Sequence, residues 1–415
     1  MEISPRYLVM VTEANNNKYY KMIPLPDGEE FKVEYGRLGT NVCQTATYPI
    51  RLFEKKYKEK TRKGYVDETD IVKEVVENDD RKDDGYVPIP EASVRTIVDR
   101  LQSMAKKTIS ENYMIGVNAV TQRMVDEAQA CINRLINADT ASKANEILLE
   151  LFSVLPRKMN NVRYYLADEM SDLPGIIKRE QELLDVMAGQ VAVTSAGRED
   201  NNKEKAGKKE AGGQTILDAM GLVIEPVTDE ETARIRKMLG RMSGKFVNAW
   251  KVTNIRTQER FDKRLEELGG KKAVEELWHG SRNENWWNIL TTGLLLRPVN
   301  AIINGKMFGY GLYFANKAAK SAGYMSTTGA RWAGGSSRTG FLAIFNVIYG
   351  TPYIVDRAYH SYRGLDEMNY EKLQKRCAGA DSLHAKKGRT GLMEDEIIVY
   401  REDQATIEYL VEIAA

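Results

Sequence analysis

Residues 279–324, together with one carboxylate far downstream, supply the groups needed to hold a flat, charged heterocycle and break its bond to a sugar. His279 and Gly280 close a short apolar segment, residues 274–278, whose end could present an imidazole and a bare backbone to a ligand. Gly280 carries no Cβ and lets a ligand amide approach the main chain. Further on, Gly309-Tyr310-Gly311-Leu312-Tyr313-Phe314-Ala315 is a glycine-punctuated turn entering an aromatic strand, and the small-residue helix that follows carries Ser321. Tyr313 and Tyr324 offer two faces for a planar ring. The carboxylate is Glu396, immediately before the apolar run Ile397-Ile398-Val399-Tyr400.

Such a set suits NAD+ as a co-substrate. Losing nicotinamide from ribose passes through an oxocarbenium-like transition state, which a site favours by placing negative charge where positive charge develops. Taken singly, each residue has a simpler reading. His279 beside Trp278 would be a packed strand-end histidine, Tyr313 and Phe314 core aromatics, and Glu394-Asp395-Glu396 a solvated strand entrance. Their company favours the site. Gly334-Gly335-Ser336-Ser337-Arg338-Thr339-Gly340 lacks phosphate-loop spacing and precedes a strand, so a hairpin loop is expected there. No GxGxxG follows a strand with an acidic residue about twenty positions on, which disfavours a hydride-transferring enzyme.

In this order, HGSR (279–282), GYGLYFA (309–315), KSAGY (320–324) and DEIIVY (395–400) resemble the catalytic domain of the poly(ADP-ribose) polymerase family. The resemblance places His279, Tyr313 and Glu396 in the family's catalytic set. It implies a donor site of His279, Gly280, Ser281, Tyr313, Phe314, Ala315, Ser321 and Tyr324, with the Gly280 backbone and Ser321 hydroxyl on the carboxamide and Tyr324 stacked on the ring. His279 would hold the adenine-side ribose. Glu396 would hold the nicotinamide ribose, polarise NAD+ and orient the attacking hydroxyl of a growing chain. Two features depart from the family: the arginine expected after Gly293-Leu294 is displaced to Arg297, and the basic segment 381–390 contains His384, read as a solvated acceptor loop.

Near the N-terminus, residues 6–11, 18–23 and 31–37 alternate as short strands separated by Asn15-Asn16-Asn17 and Pro24-Leu25-Pro26-Asp27-Gly28, turn chemistry that predicts a meander. A basic amphipathic helix over residues 48–60 follows, and residues 51–63 hold seven Lys or Arg against two Glu. By itself that is a solvated helix face. In the context of Tyr35-Gly36-Arg37 it resembles the WGR domain, with Tyr35 at the motif's tryptophan. The resemblance implies a DNA-binding surface of Tyr35, Arg37, Lys55 and Lys60, engaging DNA ends or nicks.

Beyond a polar linker the spacing turns helical. Val94, Ile97, Leu101 and Met104 recur at three- and four-residue steps. Val120, Met124, Cys131 and Leu135 form a second stripe, Ile147, Leu151 and Leu155 a third, and Ile176, Ile177, Leu183, Leu184 and Met187 a fourth. Successive apolar stripes predict a bundle, which resembles the family's regulatory helical domain. Residues 188–214, rich in Gly, Lys, Glu and Asn, read as a flexible linker in which Ser195 and the glutamates are secondary candidates for automodification. Thr228 and Glu231 have capping-box spacing. The expected architecture is multidomain α+β: a small β-rich WGR-like module (1–78), a linker (79–90), an α-helical bundle (91–187), a flexible linker (188–214) and an α+β ADP-ribosyltransferase domain (215–415).

Composition bounds the rest. With 415 residues and 42% hydrophobic side chains, the chain has length for two to four domains with real cores. Cys43, Cys131 and Cys377 fit neither a disulfide framework nor a metal site, and no metal is expected. No segment reads as a signal peptide or membrane span. The expected setting is intracellular: nuclear in a eukaryote, cytoplasm or nucleoid in a bacterium. At net charge +1, nucleic-acid binding must come from local patches. The expected activity is DNA-stimulated poly(ADP-ribosyl) transfer to the chain itself and other proteins, with an accessory factor as a further partner. Mono-ADP-ribosyl transfer, a DNA-end-binding scaffold with a silent transferase and a toxin-like transferase remain open alternatives.

Overall fold

The structure, a computed structural model, describes residues 3–38, 40, 43–69, 86–113, 120–205, 213–270, 272–296, 307–328 and 336–415, with backbone alone over 192–205. Arg297, the Ser195 side chain, residues 79–85 of the first expected linker, 206–212 of the second and 334–335 of the expected hairpin loop lie outside the described residues. The chain divides into two compact units. The first holds residues 3–69 and 106–191, and the second 86–105, 192–205 and 213–415. Among the described residues no helix is long and apolar enough to cross a membrane.

In the first unit, strands β1 (Arg6–Thr12), β2 (Asn16–Pro24), β3 (Glu30–Arg37), β4 (Cys43–Pro49) and β5 (Val66–Asp67) form one antiparallel sheet in the order β4-β3-β2-β1-β5. Strand β4 escapes sequence reading because its Thr- and Gln-rich face is exposed and lacks apolar alternation. The basic helix therefore starts later than its charge pattern suggests. Residues 48 and 49 belong to β4, and after Pro49 a 3-10 turn, Ile50–Leu52, leads into the helix Phe53–Arg62. Leu8, Tyr20, Met22, Phe31, Val33 and Phe53 bury together beneath the sheet.

Helices Gln122–Leu135 and Ala141–Val154 begin at Thr121 and Thr140, whose hydroxyls accept from the amides of Met124 and Lys143. The expected stripe of Val120, Met124, Cys131 and Leu135 is buried, whereas in the next helix Leu148 takes the core position expected of Ile147. Helix Leu173–Lys205 runs on past Met187, well into the segment read as a linker.

The expected grouping of residues 91–187 is also divided. The first turns of helix Ala92–Asn112 belong to the second unit, where Val94, Ile97, Val98 and Leu101 share a core with Trp250, Trp286 and Phe341. Arg100 donates at 2.5 Å to Glu412 and at 2.5 Å to the Thr339 hydroxyl. An apolar stripe packs wherever it finds a matching face, and here that face belongs to a sheet.

Among the described residues the second unit contains two sheets. β6 (Leu222–Pro226), β7 (Phe246–Asn254), β8 (Val274–Gly280), β10 (Thr339–Ile348) and β14 (Ala405–Ala414) form an antiparallel sheet in the order β6-β7-β14-β10-β8. β9 (Leu312–Phe314), β11 (Pro352–Val355), β12 (Ser382–Ala385) and β13 (Glu396–Val399) form a second in the order β11-β12-β13-β9, with only β11 and β12 parallel. One bridge joins them: the Trp278 amide donates to the Ala315 carbonyl at 2.8 Å and the Ala315 amide returns the bond at 2.9 Å. The ends of β8, β9 and β13 are thereby brought to one place. The capping box at Thr228 and Glu231 forms as its spacing predicts, with reciprocal bonds of 2.9 and 3.2 Å.

Candidate active site

His279 emerges at the end of β8, where its Nδ1 lies 2.9 Å from the Tyr313 carbonyl oxygen. A carbonyl only accepts, so Nδ1 carries the proton and Nε2 is left as an acceptor. Burial lowers the imidazole pKa, opposed in part by the bond to Tyr313, and the ring is neutral at pH 7. Edge contacts from Trp286, Phe314 and Phe345 fix its plane. A neutral imidazole with a free Nε2 can accept a hydrogen bond from a ribose hydroxyl.

At Gly280 the backbone runs against the carbonyl of Ser321, and a Cβ would sit 2.7 Å from the Ser321 carbonyl carbon. Only glycine allows that approach. The buried Ser321 hydroxyl donates to the Trp278 carbonyl at 3.1 Å, leaving its lone pairs to accept from an incoming amide. Ser281 Oγ accepts from Asn285 Nδ2 at 3.2 Å. Nothing in the single sequence marked Asn285.

Tyr313 donates its hydroxyl to the Gly309 carbonyl at 2.8 Å and accepts from the Phe308 amide at 3.1 Å. Burial raises its phenol pKa far above ordinary. Tyr324 ends the 3-10 turn Ala322–Tyr324, and its pKa is pushed up to about 12, first by burial and then by the Glu396 charge. Both tyrosines stay protonated and lie within the field of one carboxylate. Phe314 packs its ring on Phe345 in the core, and Ala315 serves through the backbone bridge to Trp278.

Glu396 opens β13 and is only 6% exposed. Its Oε1 pairs with Lys320 Nζ at 2.7 Å, whereas Oε2 is buried with no hydrogen-bond partner among the described residues. A buried carboxylate oxygen normally finds a donor. An unfilled one, near enough to Tyr313 and Tyr324 for its charge to act on both, fits the hydroxyls of a bound ribose. Lys320 also donates to the Glu394 carbonyl at 3.0 Å, so it orders the turn before Glu396. Lys320 was not expected; its sequence signal was its place one residue before Ser321.

His384, read from sequence as part of a solvated loop, is instead 7% exposed on β12. Its ring bonds Asp395 and Tyr349, and two polar partners on adjacent elements draw it inward.

In the first unit the four expected DNA-contacting residues differ in availability. Lys55 is exposed. Lys60 Nζ sits 4.0 Å from the Tyr20 ring centroid, 5.4 Å from that of Tyr65 and 6.0 Å from that of Tyr35, and burial lowers its pKa. Arg37 donates to the Asn15 carbonyl at 2.8 Å, to Asn15 Oδ1 at 2.7 Å and to the Asn160 carbonyl at 3.0 Å. It thus ties β3 to the segment after the helix Ala141–Val154. Asn15 holds its corner with φ of 61°, a conformation asparagine tolerates.

Comparison with known proteins gives this arrangement a context. The poly(ADP-ribose) polymerase catalytic domain matches residues 229–415, and the WGR domain matches residues 4–72. Poly [ADP-ribose] polymerase 2-B of Oryza sativa subsp. japonica is 25% identical over 343 residues, covering 75% of this chain and 52% of that protein. Against that plant relative the chain spans about half the length. The uncharacterized protein 101L of Invertebrate iridescent virus 6 is 28% identical over 187 residues, 44% of this chain and 76% of that protein. From the same virus, the putative poly [ADP-ribose] polymerase-like 100L is 32% identical over 193 residues, 46% of this chain and 99% of that protein. A match that runs the length of a relative shares a whole catalytic domain rather than a motif, and this chain therefore belongs to the poly(ADP-ribose) polymerase family.

Proposed function

We propose that this chain consumes NAD+ to build poly(ADP-ribose) on itself and on other proteins, releasing nicotinamide, and that broken DNA stimulates it. The observation that carries the reading is the unpartnered Glu396 Oε2, buried while its sister oxygen is clamped by Lys320. The bond between the nicotinamide nitrogen and ribose C1′ breaks with its electrons leaving on nicotinamide. An acceptor oxygen then bonds C1′; a hydroxyl acceptor passes its proton to solvent, and an ionised carboxylate has none to lose. Glu396 stabilises the positive charge on the sugar and orients that acceptor, first a protein side chain and then the ADP-ribose already attached. Removing one such preorganised electrostatic contact costs roughly 10²–10³ in rate.

His279 Nε2 and the Ser281 hydroxyl would receive the adenine-side ribose, while the Gly280 backbone and Ser321 would receive the carboxamide. The other end of the chain supports a role for DNA. The helix Phe53–Arg62 carries Lys55 at the surface, beside a sheet with an aromatic cluster around Tyr35. Basic helices of this kind bind phosphates, and aromatic faces stack on terminal bases or sugars. In this reading the helical region restrains NAD+ access until DNA binding loosens it. Such an enzyme works where DNA is, in a nucleus or a bacterial nucleoid.

Incubating the purified chain with labelled NAD+, with and without a nicked or blunt duplex, tests this directly. A DNA-stimulated ladder on a denaturing gel is expected. A single labelled band would establish mono-transfer instead, and no label with any DNA would leave a silent DNA-binding scaffold.

A further inference from the structure

Behind the turn that leads into Glu396 runs a hydrogen-bonded chain of three side chains that the proposed chemistry does not use. His384 Nε2 lies 2.9 Å from Asp395 Oδ2, and its Nδ1 lies 2.8 Å from the Tyr349 hydroxyl. An ionised carboxylate only accepts, so Nε2 carries a proton toward Asp395, and Nδ1 shares a hydrogen bond with the Tyr349 hydroxyl. Burial raises the Tyr349 pKa, followed by the charges of Glu275 and Asp395, so the phenol remains a donor at neutral pH. The two rings meet edge to face, 5.7 Å between centroids.

Asp395 is the centre of this arrangement. Its Oδ1 accepts from the Lys387 amide at 2.9 Å, and Lys386 Nζ lies 3.5 Å from Oδ2. Burial pushes the Asp395 carboxyl up, but the Lys387 amide, His384 and Lys386 together hold it below its ordinary value. The intervening turn also closes on itself. The Gly388 amide donates to Leu392 at 2.9 Å, the Gly391 amide to Gly388 at 2.9 Å, and the Thr390 hydroxyl to the Lys386 carbonyl.

Consecutive residues entering a strand point to opposite faces. His384 therefore grips residue 395 by its side chain, while Lys320 grips the Glu394 carbonyl and the Glu396 carboxylate. Three consecutive residues are held by two clamps. Strand pairing reinforces this, with His384 in register with Ile397 and Ala385 with Glu396.

We infer that His384, oriented by Tyr349, is a positioning residue for transfer: it holds Asp395, and through the backbone it sets where Glu396 Oε2 meets the sugar. This rests on the role proposed for Glu396. A displacement of about 1 Å at a reacting centre can cost on the order of 10²-fold in rate, so a clamp of this kind has measurable consequences.

The experiment uses the full chain with His384→Leu, His384→Gln, Tyr349→Phe and Asp395→Asn. Nicotinamide release gives kcat and KM for NAD+, and thermal unfolding reports folding. His384→Leu and Asp395→Asn should lower kcat by roughly tenfold to a hundredfold while leaving KM within about twofold. Tyr349→Phe keeps the ring packing and should lose less. His384→Gln, which returns an N–H toward Asp395, should recover part of the loss.

A second readout needs no turnover. The chain has three histidines, so ring-nitrogen NMR can follow His384 once its signal is assigned by its loss in His384→Gln. An Nε2–H tautomer whose Nδ1 signal shifts in Tyr349→Phe is expected. The inference is overturned if that signal does not shift, if all four variants keep wild-type kcat, or if kcat falls only in step with the folded fraction. A wild-type chain that releases no nicotinamide would instead refute the reading of Glu396, with the NMR arm still deciding whether the hydrogen-bonded chain exists.

Discussion

Lys320 Nζ and Glu396 Oε1 stand 2.7 Å apart in the second unit, with side-chain exposures of 14% and 8%. Removing one partner of such a pair strands the other without a counter-charge, at a cost of about 3–5 kcal/mol. Lys320→Met should therefore destabilise the unit strongly in chemical denaturation. A Lys320→Met, Glu396→Leu double variant should regain much of the loss; if it is no more stable than the single variant, the two residues are not energetically paired.

Glu396→Gln keeps the volume and removes the charge. Chain growth should fall by about 10²–10³-fold while NAD+ binding by calorimetry stays near wild type. Equal losses in both would show that Glu396 serves binding alone.

Gly280→Ala places a Cβ 2.7 Å from the Ser321 carbonyl carbon. Overpacking of this kind costs about 1–3 kcal/mol. Because the displaced segment carries Ser321, nicotinamide affinity should drop along with the thermal midpoint. Wild-type affinity in a folded Gly280→Ala protein would remove Gly280 from the carboxamide site.

Glu68 gives a pH signature to the first unit. Burial, then the charges of Glu127 and Asp67, raise its pKa from the ordinary 4.5 to about 7. The folded state therefore binds more protons than the unfolded state between those values, and stability falls as pH rises across that window and levels off above it. A shift of this size corresponds to ~3 kcal/mol. Melting curves from pH 4.5 to 8 should show the decline, and Glu68→Gln should flatten it.

Lys55 and Lys60 should separate DNA affinity from stability. Lys55 is exposed, so Lys55→Ala should weaken duplex binding and reduce the salt slope by roughly one phosphate contact. Lys60 spends its ammonium on the rings of Tyr20 and Tyr65. Lys60→Ala should lower the melting temperature with less change in slope, and the opposite pattern would reverse these assignments.

The glycines, aromatics and acid of the candidate site could be singled out in the sequence because their chemistry restricts residue type. Gly280 must lack a side chain, and Ser321 must be small and polar. The meander was legible because β1, β2 and β3 alternate between turn residues, whereas β4 was hidden by its exposed polar face. Helical stripes were visible, but their partners were not. Ile97 and Leu101 could serve a bundle or a sheet equally well, and only the complementary surface of Trp250 and Phe341 decides.

By itself, then, the sequence determined the kinds of group available and the local elements that carry them, since both depend on residue type and short-range spacing. Tertiary structure alone decided which distant residues meet: Lys320 with Glu396 across 76 positions, His384 with Tyr349 and Asp395, and Arg37 with Asn160. The first two depend on strand order in the second unit and on the bridge between Trp278 and Ala315, and the third on the packing of the first unit, none of which a local pattern encodes. The physical reason is that a buried charge or donor takes its partner from whatever the folded backbone brings within about 3 Å, and that distance is fixed by topology.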